Sequence, residues 1–86
     1  MTHGSHPALI KRLKRAQGHL AAVITMIEAE RPCAAIAQQL FAVESAITHA
    51  KRELIHDHLE HCLTDGPDGH ASLATLAEFR DLAKYL

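Results

Sequence analysis

Apolar residues recur every three or four positions along most of this chain, a pattern typical of amphipathic helices. The first such run predicts a helix that ends near Ala29, before Glu-Arg-Pro at positions 30–32 breaks the pattern. Pro7 suits the first turn of this helix. The apolar positions of the run are Leu9, Leu13, Ala16, Leu20, Val23 or Ile24, and Ile27.

A second run has the alternating four-three spacing of a coiled-coil seam. Its apolar positions are Ile36, Leu40, Val43, Ile47, Ala50 and Leu54. No Gly or Pro interrupts residues 33–65, so one helix of roughly 30 residues is expected, reaching Leu63. Thr-Asp-Gly-Pro-Asp-Gly at positions 64–69 then predicts a loop.

A third, shorter helix is predicted to extend to about Leu86, on the apolar positions Leu73, Leu76, Ala77, Phe79, Leu82 and Ala83. The fold is therefore expected to be all-α, with a three-helix domain over residues 7–86 and a flexible His-containing tail over residues 1–6. The middle helix is too long for a globule of 86 residues. We therefore expect a second copy to cover its apolar side as an antiparallel dimer.

The composition fits a small helical protein without a global charge field. Hydrophobic residues make up 48% of the chain and aromatic residues only 3%, while the net charge is −1. Two cysteines and no signal peptide favour reduced thiols in the cytoplasm over a disulfide framework. No apolar run is long enough to span a membrane. Neither a Gly-rich turn nor a pocket is apparent, so no enzyme is expected.

Cys33, His58 and Cys62 form a candidate metal-ligand set that one chain cannot assemble. His58 and Cys62 are four residues apart, so they share one face of a helix. Cys33 would lie roughly 40 Å away along the same helix, because each residue adds about 1.5 Å. A second, antiparallel copy would bring the three together. Two thiolates and an imidazole suit Cu(I), Zn(II) or, with a fourth nitrogen, Ni(II).

Basic residues are clustered rather than spread along the chain. Such clusters are either solvated helix faces or, when duplicated in an oligomer, a surface for the DNA backbone. The candidate DNA-contacting residues are Arg12, Lys14, Arg15, Lys51 and Arg52. His19 and His49 lie on faces near these clusters, where a surface or DNA-contacting role is more plausible than metal ligation. No helix-turn-helix pattern is present, so recognition by a helix in the major groove is not implied.

Several segments together resemble the CsoR/RcnR family of bacterial metal-sensing repressors, which are small all-α proteins without a helix-turn-helix. These segments are Arg-Leu-Lys-Arg-Ala-Gln-Gly-His-Leu at 12–20, Cys33, Gln-Gln-Leu-Phe-Ala-Val at 38–43 and His-Asp-His-Leu-Glu-His-Cys at 56–62. The resemblance covers nearly the whole chain. It implies an antiparallel dimer, usually paired into a homotetramer, that binds operator DNA without metal. Metal at the subunit interface would release the DNA and derepress metal efflux genes.

The resemblance also implies roles for individual residues. Cys33 of one subunit would join His58 and Cys62 of the other around the metal, and Glu78 would be a carboxylate that orients the ligands. Arg12 and Arg52 fall at positions linked to DNA binding.

The identity of the metal stays open at this point, with Cu(I) favoured over Ni(II) or Co(II). The Cys-His-Cys set matches the copper sensors, although Pro32 stands where copper-sensing relatives often carry Tyr. His3 and His6 could supply a fourth nitrogen, as in nickel- or cobalt-sensing relatives. Other hypotheses are a formaldehyde sensor that uses Cys33, a persulfide sensor, a metal-buffering protein and a coiled-coil interaction module.

Overall fold

The computed structural model describes the backbone of residues 6–64 and 73–86, and the side chains of residues 7–60 and 76–86. Within these ranges the chain forms three helices: α1 (His6–Glu28), α2 (Cys33–Thr64) and α3 (Leu73–Ala83). The all-α prediction is confirmed, and the long middle helix runs one residue beyond the expected Leu63. The predicted loop begins after Thr64 and, like most of the predicted tail, lies outside the described residues.

The turn between α1 and α2 is closed by two backbone hydrogen bonds. The Arg31 N–H donates to the Met26 carbonyl at 3.0 Å, and the Glu30 N–H donates to the Ile27 carbonyl at 3.0 Å. This pair of bonds is the Schellman arrangement, in which one residue adopts a left-handed conformation. Glu30 takes that place, with a φ of 56°. The tight turn folds α2 back along α1 as an antiparallel hairpin.

Most residues of the core lie seven positions apart. Leu9, Ala16 and Val23 are buried on α1, and Val43 and Ala50 are buried on α2; Ile55 on α2 is also buried but does not follow this spacing. Seven residues make nearly two helical turns, so each set forms one row along its helix.

Several apolar residues that the periodicity assigned to the core remain uncovered in the single chain. Leu13, Leu20 and Ile27 on α1 follow the buried row by four positions, and Leu40, Ile47 and Leu54 form the corresponding row on α2. All six are more than 40% exposed. Position i+4 is rotated in the same sense on both helices, so in an antiparallel hairpin both rows lie on one side. We call this side the apolar side.

The third helix is shorter than predicted. It ends at Ala83 rather than near Leu86, and the Tyr85 N–H donates to the Leu82 carbonyl at 3.0 Å in the turn that follows. α3 lies against the C-terminal part of α2, where Glu78 contacts His58. None of the described helices has the length and apolar character that crossing a membrane requires.

Candidate metal centre and basic groove

The two described candidate ligands stand at opposite ends of α2. Cys33 is the first residue of the helix and has an exposed thiol, whereas His58 lies in its last two turns and is half-buried. Because α2 is continuous, the helical rise places them about 38 Å apart within one chain. No three Cys, His, Asp or Glu side chains converge as a ligand set within the described part of the chain.

Cys33 and His58, near the two ends of α2, both lie on the apolar side. Cys33 precedes Leu40 by seven residues and therefore extends the exposed row of α2 towards its N-terminus. His58 follows Leu54 by four residues and extends the same side towards the C-terminus. The candidate ligands and the uncovered apolar residues therefore form one continuous strip along the helix.

His58 is held by a carboxylate from α3. Its Nε2 lies 2.5 Å from Oε1 of Glu78, across a sequence separation of 20 residues. A carboxylate accepts a hydrogen bond from the N–H that it faces, so this contact favours the tautomer with the proton on Nε2 and the lone pair on Nδ1. Carboxylates orient metal-ligating histidines in the same way. The structure thus brings His58 and Glu78 into contact, and their roles as ligand and orienting carboxylate stay a prediction.

The remaining predicted ligands are less fully described. The α2 backbone extends through Cys62 and places it one turn beyond His58, but its side chain is outside the described residues. His6 is the first residue of α1, so the helix begins within the segment expected to be a tail. Its side chain and the whole of His3 lie outside the described residues.

A groove of about 370 Å³ opens between α1 and α2 on the side opposite the apolar rows. We call it the basic groove, because two arginines and two histidines converge there. Its lining residues are Arg12, Arg15, Ala16, His19, Ser45, Ala46 and His49. Arg12 and His19 follow the buried residues of α1 by three positions, and i+3 is rotated in the opposite sense from i+4. The sequence pattern therefore accounts for the separation of the two sides.

Two polar contacts cross between the helices on this side. The Arg12 guanidinium forms an ion pair with the Glu53 carboxylate, although both side chains keep a substantial part of their surface in water. Nε2 of His19 lies 2.7 Å from Oε1 of Gln39, so that nitrogen donates to the amide oxygen. Exposed ion pairs stabilise a fold only weakly. These contacts mainly set which side chains of α1 and α2 face each other.

The predicted DNA-contacting residues do not form one cluster. Arg12 and Arg15 line the basic groove, whereas Arg52 lies with His49 in a neighbouring groove that also includes Glu44. The two predicted lysines are placed elsewhere: Lys14 lies beside Lys11 near the start of α1, and Lys51 is exposed on α2 outside both grooves.

Some residues around this groove were not identified from the sequence. Glu53 and Gln39 each follow an apolar position of α2 by three residues, which is the same offset that Arg12 and His19 have on α1. This shared three-residue offset is the sequence signal that could have identified Glu53 and Gln39. It becomes useful only when the register of the two helices is known.

The described structure is an all-α hairpin with a thiol and an imidazole on its apolar side and a basic groove on the other side. The match to known families is specific: residues 5–85 match the family described as metal-sensitive transcriptional repressor. The chain belongs to this family, and the resemblance to CsoR/RcnR repressors is confirmed.

Individual relatives agree with this assignment. The chain is 35% identical over 79 residues to the copper-sensing transcriptional repressor CsoR of Mycobacterium tuberculosis (strain ATCC 25618 / H37Rv), covering 91% of this chain and 66% of that protein. It is 30% identical over 76 residues to CsoR of Bacillus subtilis (strain 168), covering 88% and 75% respectively. The chain thus spans slightly less than two thirds of the length of the M. tuberculosis CsoR.

A solved structure extends the similarity to the whole fold. The nickel-responsive transcriptional regulator InrS superposes with a TM-score of 0.85 at 30% sequence identity, covering 100% of this chain and 98% of that chain. The relatives therefore include proteins named for copper and a protein named for nickel, and the nickel-responsive one shares this three-helix architecture.

Proposed function

We propose that this protein is a transcriptional repressor that binds operator DNA without metal and dissociates when a transition metal binds between two subunits. The continuous α2 carries this proposal, because it places Cys33 and His58 at opposite ends of one strip. The proposed activity consists of binding alone, takes place on DNA in the cytoplasm and includes no enzymatic step. Dissociation from the operator would derepress metal efflux genes.

The exposed row of α2 supports an antiparallel dimer with a defined register. If Ile47 lies on the two-fold axis, Leu40 of one subunit faces Leu54 of the second copy. The same register puts Cys33 opposite the turn that joins His58 to Cys62. One arrangement therefore covers the apolar row and completes two equivalent ligand sets. Burial of exposed side chains of this size is strongly favourable, at about 25 cal/mol per Å² of apolar surface.

The donor set fits a soft or borderline metal ion. Cys33 supplies an exposed thiol, and the Glu78 carboxylate holds His58 in the orientation of a metal ligand. Cys62 would be the third ligand, one turn from His58. A bound metal would supply strong bonds that join α2 of one subunit to α2 of the other. We favour Cu(I), for which two thiolates and one imidazole are suitable donors.

A nickel or cobalt sensor is the alternative within the same class. It would require a fourth nitrogen, for which His3 and His6 are the candidates. CsoR, named for copper, supports the copper sensor, and InrS, named for nickel, supports the nickel sensor. Two further alternatives do not involve release from DNA by a metal: a formaldehyde-sensing repressor that uses Cys33, and a metal-buffering protein.

Both functions reside on the same two helices. Metal ligation would involve the ends of α2, and the basic groove lies between α1 and the middle of α2. A shift of α2 against its partner would therefore change the spacing of basic surfaces in the oligomer, which we expect to be a dimer or a dimer of dimers. Coupling of this kind is reciprocal, so metal that weakens DNA binding must itself bind less tightly to the DNA complex.

The test is a titration of the reduced protein, bound to its own promoter DNA, with buffered Cu(I) and then Ni(II). We expect release by Cu(I) at very low free metal, both in the wild-type protein and in a His3→Ala/His6→Ala variant. Release by Ni(II) that is lost in this variant would instead identify a nickel sensor. Metal binding with no effect on DNA would indicate a buffering protein, and no response to either metal would direct attention to Cys33 chemistry.

A further inference from the structure

The basic groove contains more than the arginines that general DNA affinity would require. His19 reaches it from α1 and His49 from α2, and Ser45 of α2 also lines it. His19 is half-buried and His49 is exposed, so the groove has one anchored and one accessible imidazole. None of these three residues belongs to the candidate metal centre, which lies on the opposite side of the hairpin.

The chemistry of this lining suits a phosphate group. Guanidinium, protonated imidazole and hydroxyl groups all donate hydrogen bonds to phosphate oxygens. A groove of about 370 Å³ is large enough to admit such an anion between the helices. Backbone phosphates are the groups that proteins contact most often on DNA.

We propose that the basic groove is a phosphate-binding site of the DNA interface in which His19 and His49 act together with Arg15, so that operator affinity rises as pH falls. This inference rests on the proposed repressor function and deepens it by naming the groove and the chemistry it recognises. Each histidine would add positive charge to the groove only when it is protonated.

Charged groups from both helices surround the two histidines. Arg12 and Arg15 face the groove from α1, and Glu53 on α2 forms an ion pair with Arg12, so part of the arginine charge is already compensated. Arg52 and Glu44 lie on the far side of His49 and offset each other in sign. Gln39, the partner of His19, carries no charge.

The sign of the pH dependence follows from these groups. Arginine and glutamate keep their charges between about pH 6 and pH 8, whereas imidazole is the side chain that changes charge in this range. Lowering the pH therefore adds positive charge to the groove and strengthens its attraction for phosphate. By the same linkage, formation of the DNA complex should take up protons.

The experiment measures the operator affinity of the metal-free protein at about pH 6 and about pH 8, over a series of salt concentrations. We expect the wild-type protein to bind about tenfold more tightly at the lower pH. His49→Gln and His19→Gln should each reduce this ratio to about threefold, and at the lower pH should reduce the salt slope by about one. His56→Gln is the matched control, because His56 is exposed on the same helix but lines neither groove.

A second measurement tests phosphate binding by the basic groove independently of the repressor function. Inorganic phosphate is added to the metal-free protein without DNA, and the imidazole resonances are followed by NMR. We expect those of His19 and His49 to shift and those of His56 to remain unchanged. If the protein binds no DNA but these shifts occur, the repressor proposal fails while the phosphate site stands.

The proposal is overturned by either of two results. One is an operator affinity whose pH dependence is the same in the wild-type protein, His19→Gln and His49→Gln. The other is a phosphate titration in which the His19 and His49 resonances do not respond. His19→Gln also removes the contact to Gln39, so circular dichroism should confirm that this variant keeps its helical content.

Discussion

The two sides of the α1–α2 hairpin are built from the same helices yet differ in every respect that matters for binding. Four positions after the buried residues of the two rows the chain carries Leu or Ile, and each of these side chains is more than 40% exposed. Three positions after several of the buried residues it carries polar groups, including Arg12, His19 and Glu53. A difference of one position thus separates the apolar rows, which we propose for self-association, from the basic groove, which we propose for anion binding.

The largest expected effect comes from placing a charge on the apolar side. Ile47→Glu would put two carboxylates near the two-fold axis of the proposed dimer, where like charges cost several kcal/mol. We expect the dimer to weaken by about 100-fold or more. Sedimentation analysis across a range of concentrations measures this. Tyr85→Glu is the control, because Tyr85 is exposed beyond α3 and outside both rows; a dimer of Ile47→Glu with unchanged affinity would rule out this register.

The next effect tests whether the ligands come from two subunits. Cys33→Ala and His58→Ala homodimers should each lose tight Cu(I) binding, because each lacks a donor at both sites. A mixed dimer of the two variants should regain one complete site, with half of the wild-type stoichiometry. Titration against a chromophoric Cu(I) chelator measures both quantities. Tight binding by either homodimer, or none by the mixed dimer, would contradict the shared site.

A smaller effect is expected on the opposite side of the hairpin. Arg12→Ala should weaken operator binding by about fivefold and lower the salt slope by about one, because a phosphate-facing charge is lost. Lys84→Ala is the control, since Lys84 lies beyond α3 and pairs with Asp81 at 3.6 Å. Unchanged affinity of Arg12→Ala at moderate salt would place the DNA footprint elsewhere on the surface.

A substitution of Glu53 is expected to change operator affinity in the opposite direction to Arg12→Ala. Glu53→Gln removes the carboxylate that pairs with Arg12 while keeping the shape of the side chain. We expect operator binding to strengthen by about threefold, because the groove becomes more positive. Fluorescence anisotropy with labelled operator measures the change. Weaker binding would mean instead that Glu53 is needed to position Arg12.

The smallest expected effect comes from a substitution in the turn between α1 and α2, which should change stability but not the apolar side or the basic groove. Glu30 adopts a left-handed conformation that costs a residue with a Cβ roughly 1–2 kcal/mol. Glu30→Gly should therefore raise the free energy of unfolding by about 1 kcal/mol, after the greater flexibility of glycine in the unfolded chain is subtracted. Urea denaturation measures this, and the operator affinity should not change.

Much of this architecture could be predicted from the spacing of apolar residues. The helices follow from local periodicity, and the long α2 follows from the lack of Gly or Pro between Pro32 and Gly66. The burial of each row could not be predicted in the same way. Leu13 and Leu40 share the periodicity of the core but are more than 40% exposed, because no described part of the same chain packs against them.

Contacts between helices were harder to predict than the helices themselves. Arg12 and Glu53 are 41 residues apart, and their pairing depends on the register that the buried rows impose on the hairpin. The contact of Glu78 with His58 was expected only from family resemblance. Periodicity places Glu78 on a third helix but does not say where that helix lies against α2.

The length of α2 also bears on how the two metal sites of a dimer influence each other. In the proposed register their separation is set by the rise of the helix between Cys33 and the turn after His58, which is about 40 Å. The Debye length at physiological salt is only about 8 Å. The charge of one bound ion is therefore screened from the second, and any cooperativity between them must pass through displacement of the helices.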